Sequence, residues 1–347
     1  MTSSACLRIL LVRLSSFGDV VFTLPLAQAL KGAWPGTRLA WVVEAPLAPL
    51  LEGAAAVDEV MTATTRRWRR EPFSAATRAE LATLRRRMRA FAPEVAVDAQ
   101  GLFKSALVTL LAPAGRKVGF GFRSATEGVN ALVTDEHVGA RDRRHVTDRA
   151  LALAEHLTGR RGFPRVPDVS HLVARPAPEV DAWLEARRGR PFALLQPFAS
   201  ARQKEWPDAL VREAAGLLAA RHGLPCAVRW GPGERERAEA LVRSAPAVLE
   251  LAPSADPAAS ARLASRAALF LGSDTGPTHL AAAAGTPTLA LFGPTDPERF
   301  APLGPRTAVV RANGWYTSDR STEASVPSHL ESSLSDEVLS AVAALLS

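Results

Sequence analysis

Apolar residues in this chain come in short runs, separated by longer stretches with helical spacing. The first run, over residues 7–14 (LRILLVRL), has the length of a strand. A Ser-Ser-Phe-Gly turn follows, and Asp19 opens a helical pattern to about Lys31. Further strands are predicted at 39–43, 59–61 and 95–99, with helices near 47–53, over 75–90 behind Ser74 as cap, and from 101 to 111. The segment 66–70 (RRWRR) reads as a loop. A helical pattern over 147–157 leads into crowded prolines, Pro164, Pro167, Pro176 and Pro178, which read as a linker between domains.

The alternation then restarts. Strands are predicted at 192–196, 226–230, 248–251, 268–271 and 288–292. Helices fall at 207–222, from Glu234 onward, at 257–265, and after Ser273, with Pro277 at the first helical position and Gly285 as the stop. An amphipathic helix closes the chain at 335–346, and the polar segment 311–333 has no assignment. Strands alternating with helices in this way imply an α/β protein with two Rossmann-like, doubly wound parallel-sheet domains, residues 1–170 and 171–347, facing across a cleft.

A chain of 347 residues is long enough for two such cores, and 47% apolar with 22% charged residues is the balance of a globular protein. Arg8, Arg13 and Asp19 interrupt the first apolar stretch, which argues against a signal peptide or a membrane span. Cys6 and Cys226 lie far apart and suggest no disulfide framework, so a reduced, cytoplasmic setting is the simpler reading. The net charge of +7 is carried almost entirely by arginine. An arginine-rich composition everywhere would explain that blandly. The clustering of Arg66, Arg67, Arg69 and Arg70 around Trp68, and of Arg85, Arg86, Arg87 and Arg89, points instead to an anionic partner. Nothing beyond Trp68 interleaves aromatic with basic residues, so nucleic acid is not expected.

Ligands of open parallel sheets gather beyond the carboxyl ends of the strands. Two segments fit that position. The first is Ser15-Ser16-Phe17-Gly18-Asp19, where Asp19 is either a helix N-cap or a general base for an acceptor hydroxyl. The second is Ser273-Asp274-Thr275-Gly276-Pro277-Thr278-His279, either a phosphate site at a helix N-terminus or an ordinary capped helix with a surface histidine. Ser200, Arg202 and Lys204, and Glu234 and Glu236 behind Gly231-Pro232-Gly233, follow other strands of the second half. A lysine there adds charge to a phosphate site and a glutamate can hold ribose hydroxyls, although solvated surface is the commoner fate of both. There is no G-x-G-x-x-G and no Walker-type motif. The histidines are scattered and neither cysteine has a partner at ligand spacing, so no metal site is expected.

Several of these pieces resemble the lipopolysaccharide heptosyltransferases, glycosyltransferase family nine. They are ILLVRLSSFGDVVFTLPLAQAL, WVVE at 41–44, RRWRR at 66–70, VDAQGLFKSALVTLLA at 97–112, KEWP from Lys204, WGPGERERAEAL from Trp230, and SDTGPTHLAAAAGTPTLALFGPTDP from Ser273. They stand in the family's order from about Arg8 to Pro297. RRWRR and DAQGLFKSALVT are the narrower pieces and resemble the heptosyltransferase I branch.

The resemblance implies a GT-B fold, with the acceptor on the first half and an ADP-sugar on the second. It implies inverting transfer of heptose from ADP-L-glycero-D-manno-heptose to a Kdo residue of Kdo-lipid A, with Asp19 as catalytic base. Lys204 and Asp274-Thr275-Gly276 would hold the diphosphate, with His279 beside it and Ser200 and Thr278 as further donors. Glu234 or Glu236 would hold the ribose. Ser15, Ser16, Gly18, Lys104, Arg123 and the four arginines at 66, 67, 69 and 70 would face the acidic acceptor. No cofactor or metal is then expected, and the protein would sit in the cytoplasm, peripheral to the inner membrane by electrostatic contact. Two positions depart from the family pattern. Ala199-Ser200 stands where two threonines are common, and Thr126 replaces an arginine that Arg123 lies close enough to substitute. The alternatives are a family member with another acceptor, as in heptosyltransferase II or O-antigen and autotransporter enzymes, and a non-catalytic ADP-sugar-binding protein.

Overall fold

The computed structural model describes residues 7–253, 256–311 and 328–347, with side chains of the last helix from 336 on. Cys6 and most of the polar segment 311–333 lie outside the described residues. The chain divides into two compact units, Met1–His171 and Leu172–Ser347, with the division inside the proline-rich stretch.

Six strands build the sheet of the N-terminal unit: β1 (Arg8–Val12), β2 (Arg38–Glu44), β3 (Glu59–Ala63), β4 (Val95–Asp98), β5 (Arg116–Phe120) and β6 (Glu136–Val138). Their order is β3-β2-β1-β4-β5-β6 and every pairing is parallel. The central strands are apolar runs because helices cover both faces of such a sheet. Ile9, Leu10, Leu11, Val12 and Trp41 are fully buried. Helix Phe17–Ala33 returns from β1 and packs against helix Val146–Thr158, where the Thr147 hydroxyl donates to Phe22 O at 3.1 Å.

The second unit repeats the plan. Its strands are β7 (Ala193–Gln196), β8 (Cys226–Val228), β9 (Leu249–Leu251), β10 (Leu269–Ser273), β11 (Thr288–Phe292) and β12 (Thr307–Arg311), in the order β12-β11-β10-β7-β8-β9. Counted from the first strand of each unit, both sheets have the same doubly wound order. The chain direction across the sheet reverses between β1 and β4, and again between β7 and β10. These are the two places where the topology opens a crevice for ligands. Cys226 is buried in this unit, and burial, helped by the charge of Glu250, pushes its thiol up to about 12. It is a packing residue.

Several expectations are corrected. The RRWRR segment is a helix, Thr65–Arg70, rather than a loop. Two carboxylates explain it: Glu80 binds Thr64, Arg67 and the Trp68 indole, while Glu44 binds Thr65. Residues 45–50 form a 3-10 turn instead of a helix near 47–53, because Pro46 and Pro49 lack the N–H groups an α-helix uses. Three strands, β5, β6 and β12, and the helices Ser170–Ala174 and Pro178–Ala186, were not predicted. The strands β6 and β12 are sheet edges with mixed exposure, so their apolar signal is weak. Among the described residues, no helix is long and apolar enough to cross a membrane.

Candidate functional site

In the N-terminal unit the crevice is built at the ends of β1 and β4. Asp98, the last residue of β4, is buried and accepts from the backbone N–H groups of Gln100 and Gly101 at 2.9 and 3.0 Å and from the Ser105 hydroxyl at 3.0 Å. Burial raises its pKa, and these donors oppose the rise. Gln100 accepts from Leu14 N–H at 2.7 Å, which locks the two strand ends together. The turn so fixed starts helix Phe103–Leu111 with Lys104 in its first turn. The Lys104 ammonium binds the Ser15 hydroxyl. Burial lowers the Lys104 pKa; the charges of Glu44 and Asp19 oppose this, and those of Arg66 and Arg13 add to it. Ser15, Asp19, Glu44, Arg66 and Lys104 therefore share one electrostatic neighbourhood.

Asp19 is not the helix N-cap. Ser16 holds that position, and Asp19 is the third helical residue, reaching back to accept from the Ser16 N–H and hydroxyl, each at 2.9 Å. This is the return half of a capping box. Its other oxygen pairs with Arg13 at 2.6 Å, and Arg13 is anchored on Ala99 O at 2.7 Å. Arg13 thus joins this crevice, although in the sequence it argues only against a membrane span. A charged residue ending an apolar strand was the available signal. Gly18 is buried in the first helical turn, and Ser16 is exposed.

The arginine cluster separates. Arg67 is tied to Glu80, while Arg66, Arg69 and Arg70 are exposed. Arg85, Arg86 and Arg89 are exposed on helix Ala75–Phe91, and Arg87 pairs with Glu59 at 2.8 Å. Arg123 is exposed on the loop after β5, which Glu127 ties to Gly101 O and Phe103 N.

In the C-terminal unit the crevice lies at the ends of β7 and β10. Asp274 directly follows β10 and joins the Lys204 ammonium, Nζ at 2.7 Å, and the His279 ring, Nε2 at 3.0 Å. Burial alone would raise the Asp274 pKa; His279 first and Lys204 second outweigh it and bring it down to about 2. The Ser273 hydroxyl donates to Lys204 O, so the turn that carries Lys204 is stitched to the end of β10. His279 is buried, which removes the surface-histidine reading. It sits inside helix Gly276–Ala283 under the turn. Thr275 is the N-cap and Gly276 the first helical residue, one earlier than predicted from Pro277.

Thr278 is also placed differently from expectation. Its side chain is fully buried and its hydroxyl donates to Ser273 O at 2.6 Å, so it closes the turn from inside. Gly272 makes room for it: a Cβ there would stand 2.4 Å from Thr278 Oγ1. Ser200 is exposed on the loop before Lys204. Glu234 folds back to accept from Gly231 N–H at 2.6 Å, whereas Glu236 is exposed in the first turn of helix Arg235–Ser244.

A further residue of this crevice was missed. Arg229 follows β8 and is buried, with Nη1 on Gln196 Oε1 at 2.7 Å and Nη2 on Ser260 Oγ at 2.7 Å. Burial lowers its pKa to about 10 and the charge of Glu234 works against that. Its positive charge acts on Glu234, one of the two candidate ribose residues. Among the described residues, no group of three or more His, Cys, Asp or Glu is placed to hold a metal ion.

A lysine beside a helix N-terminus at one crevice, and a positioned carboxylate at the other, suit transfer from a phosphate-activated donor. Comparison with known proteins agrees. The family model for glycosyltransferase family 9 (heptosyltransferase) matches residues 81–329. Lipopolysaccharide heptosyltransferase 1 of Escherichia coli K12 is 33% identical over 311 residues, 88% of this chain and 94% of that protein. The Pseudomonas aeruginosa protein of the same name is 31% identical over 84% of this chain and 80% of its own length. The structure of E. coli heptosyltransferase WaaC with ADP superimposes with a TM-score of 0.81 at 30% identity, covering 96% of this chain and all of that one. The two parallel-sheet units are accordingly of the GT-B type, and the chain belongs to glycosyltransferase family 9, the heptosyltransferases.

Proposed function

We propose that the chain transfers heptose from ADP-L-glycero-D-manno-heptose to a Kdo residue of Kdo-lipid A, with inversion, in building the lipopolysaccharide inner core. The observation that carries this reading is Lys204, held by Asp274 beside the N-terminus of helix Gly276–Ala283. A solved relative, WaaC, was obtained with ADP-2-deoxy-2-fluoro heptose, which supports the same donor here.

In this reading the C-terminal unit binds the donor. Lys204 and the backbone of Asp274, Thr275 and Gly276 meet the diphosphate, with Ser200 at the rim. Asp274 and His279 are positioning residues that aim the lysine, and Thr278 keeps the turn closed. The ribose falls to Glu234 or Glu236, and single Gln substitutions separate the two. The N-terminal unit binds the acceptor. Its acidic groups meet Lys104, Arg66, Arg69, Arg70 and Arg123, while Arg67 serves mainly to hold its helix to Glu80.

Asp19 takes the proton of the acceptor hydroxyl. The oxygen forms a bond to the anomeric carbon as the bond from that carbon to the diphosphate breaks, and ADP leaves with the electron pair. Charge grows on the departing phosphate oxygens. A lysine and a helix N-terminus already in place stabilise it without reorganisation, so no divalent ion is required. The protein works in the cytoplasm at the inner-membrane surface, where each well-placed Lys or Arg adds roughly 1 kcal/mol to binding of anionic lipid.

The test is ADP release from ADP-heptose by the purified protein in EDTA, with and without Kdo-lipid A. Release only with the acceptor is expected. Donor binding without release would assign a different acceptor, and loss of release that magnesium restores would overturn metal independence. No donor binding would end the proposal.

A further inference from the structure

Helix Phe103–Leu111 is apolar on two sides. Its inward side, including Ala106 and Val108, is buried. Its outward side carries Phe103, Leu107 and Leu110, exposed by 58, 47 and 56%. The spacing i, i+4, i+7 puts them in one stripe about 10 Å long. The turn Val129–Leu132 packs beside this helix and adds Leu132, exposed by 73%. A nine-residue surface helix normally presents polar groups outward, and a contiguous apolar patch of this kind marks an interaction surface.

Basic side chains stand near the start of the stripe, beside the Glu127 carboxylate. Arg66 is exposed and lies close enough to act by charge on Lys104, in the first turn of the same helix. Arg123 is exposed on the loop that Glu127 ties to the helix start, its carboxylate accepting from Phe103 N–H at 2.6 Å. Apolar side chains with a cationic rim complement an anionic lipid surface, where the chains enter the acyl boundary and the guanidinium groups stay among the headgroups.

We propose that the stripe Phe103–Leu107–Leu110 with Leu132 is a wedge that docks the N-terminal unit on an anionic bilayer, rimmed by Arg66 and Arg123. This rests on the reading of a lipid-borne acceptor and adds an apolar component to the electrostatic contact. The two components respond differently to salt. Headgroup attraction is screened within a Debye length, whereas burial of leucine and phenylalanine is not.

The experiment is sedimentation of the intact protein with vesicles of phosphatidylcholine, alone or mixed with phosphatidylglycerol, at low and high salt. The protein should bind the mixed vesicles and keep part of that binding at high salt. The double substitution Leu107→Gln with Leu110→Gln keeps helix-forming residues at exposed positions and should leave the circular dichroism unchanged. Each substitution should weaken partitioning roughly tenfold and the pair should remove the salt-resistant part. Turnover should fall on acceptor presented in vesicles and stay unchanged on deacylated, water-soluble acceptor. The proposal is overturned if the double variant binds vesicles as the parent does. It is equally overturned if the parent ignores vesicles and the substitutions instead abolish self-association. Absence of transfer to either acceptor would defeat the heptosyltransfer reading alone, because the vesicle measurements do not depend on it.

Discussion

Replacing Asp274 by Asn removes one negative charge from the donor crevice and leaves a side chain of the same shape. The carboxyl is brought from 3.8 to about 2 because His279 and Lys204 outweigh the effect of burial. A depression of roughly two units is worth about 2 kcal/mol of folding stability at neutral pH. Solvent screening removes little of it, since the side chain is only 6% exposed. The folded pKa lies below the unfolded one, so the contribution is complete above the unfolded value. It falls to about 1 kcal/mol near pH 3 and is lost as pH drops through the folded value of about 2. Urea unfolding of the parent and Asp274→Asn at a series of pH values from neutral to acid measures this directly. The variant should be less stable by about 2 kcal/mol at neutral pH, with the gap constant down to roughly pH 4 and closing below it. No gap at neutral pH would show that burial cancels the pairing with Lys204 and His279. A gap that does not change with pH would assign the effect to packing and refute the electrostatic account.

Three other outcomes are expected. Asp19→Asn keeps an acceptor for the Ser16 N–H but cannot take a proton, so kcat should fall about 10²- to 10⁴-fold with ADP-heptose affinity retained; lost affinity with preserved turnover would remove Asp19 from the base role. Neutralising Arg66, Arg69 and Arg70 together should raise the acceptor KM without altering donor binding, and an unchanged KM would return them to plain solvated surface. Gly272→Ala places a methyl group against Thr278 in the floor of the turn, and thermal unfolding should report a loss of about 1 to 3 kcal/mol; a parent-like Tm would mean that the turn can shift to admit it.

Most of the central strands could be read from the sequence, and the reason is local. LRILLVRL, FALLQ and TLALF are apolar because both faces of a parallel sheet are covered, and that burial is written into consecutive residues. The strand RKVGF and the edge strand EHV are not, because they carry charged side chains along a part-exposed border. The helix at 65–70 was misread for a related reason. A polar, arginine-rich hexapeptide has no apolar stripe of its own, and its folding depends on Glu44 and Glu80 from elsewhere in the chain.

The candidate site divides along the same line. Glycine and small-residue turns after strands are sequence-local, so Ser15 to Asp19 and Ser273 to His279 were legible as places where a ligand could sit. Their internal partners were not. Gln196 under Arg229 and Lys204 on Asp274 join segments that follow different strands, and Arg13 meets Asp19 only because the turn after β1 folds back on itself. Helix periodicity could not say that Thr278 and His279 point inward rather than toward a ligand, since that depends on which side of the helix meets the sheet.

By itself, then, the amino-acid order determined two doubly wound parallel sheets, their approximate elements, and the turns that open each crevice. Backbone conformation and apolar runs depend on neighbours a few residues away. Only the tertiary structure decided which charges meet there, which hydroxyls face inward, and that the helix after β4 exposes an apolar stripe. Those properties arise where strand ends far apart in sequence are brought side by side, and the low dielectric of the packed turn then sets which charge pairings hold.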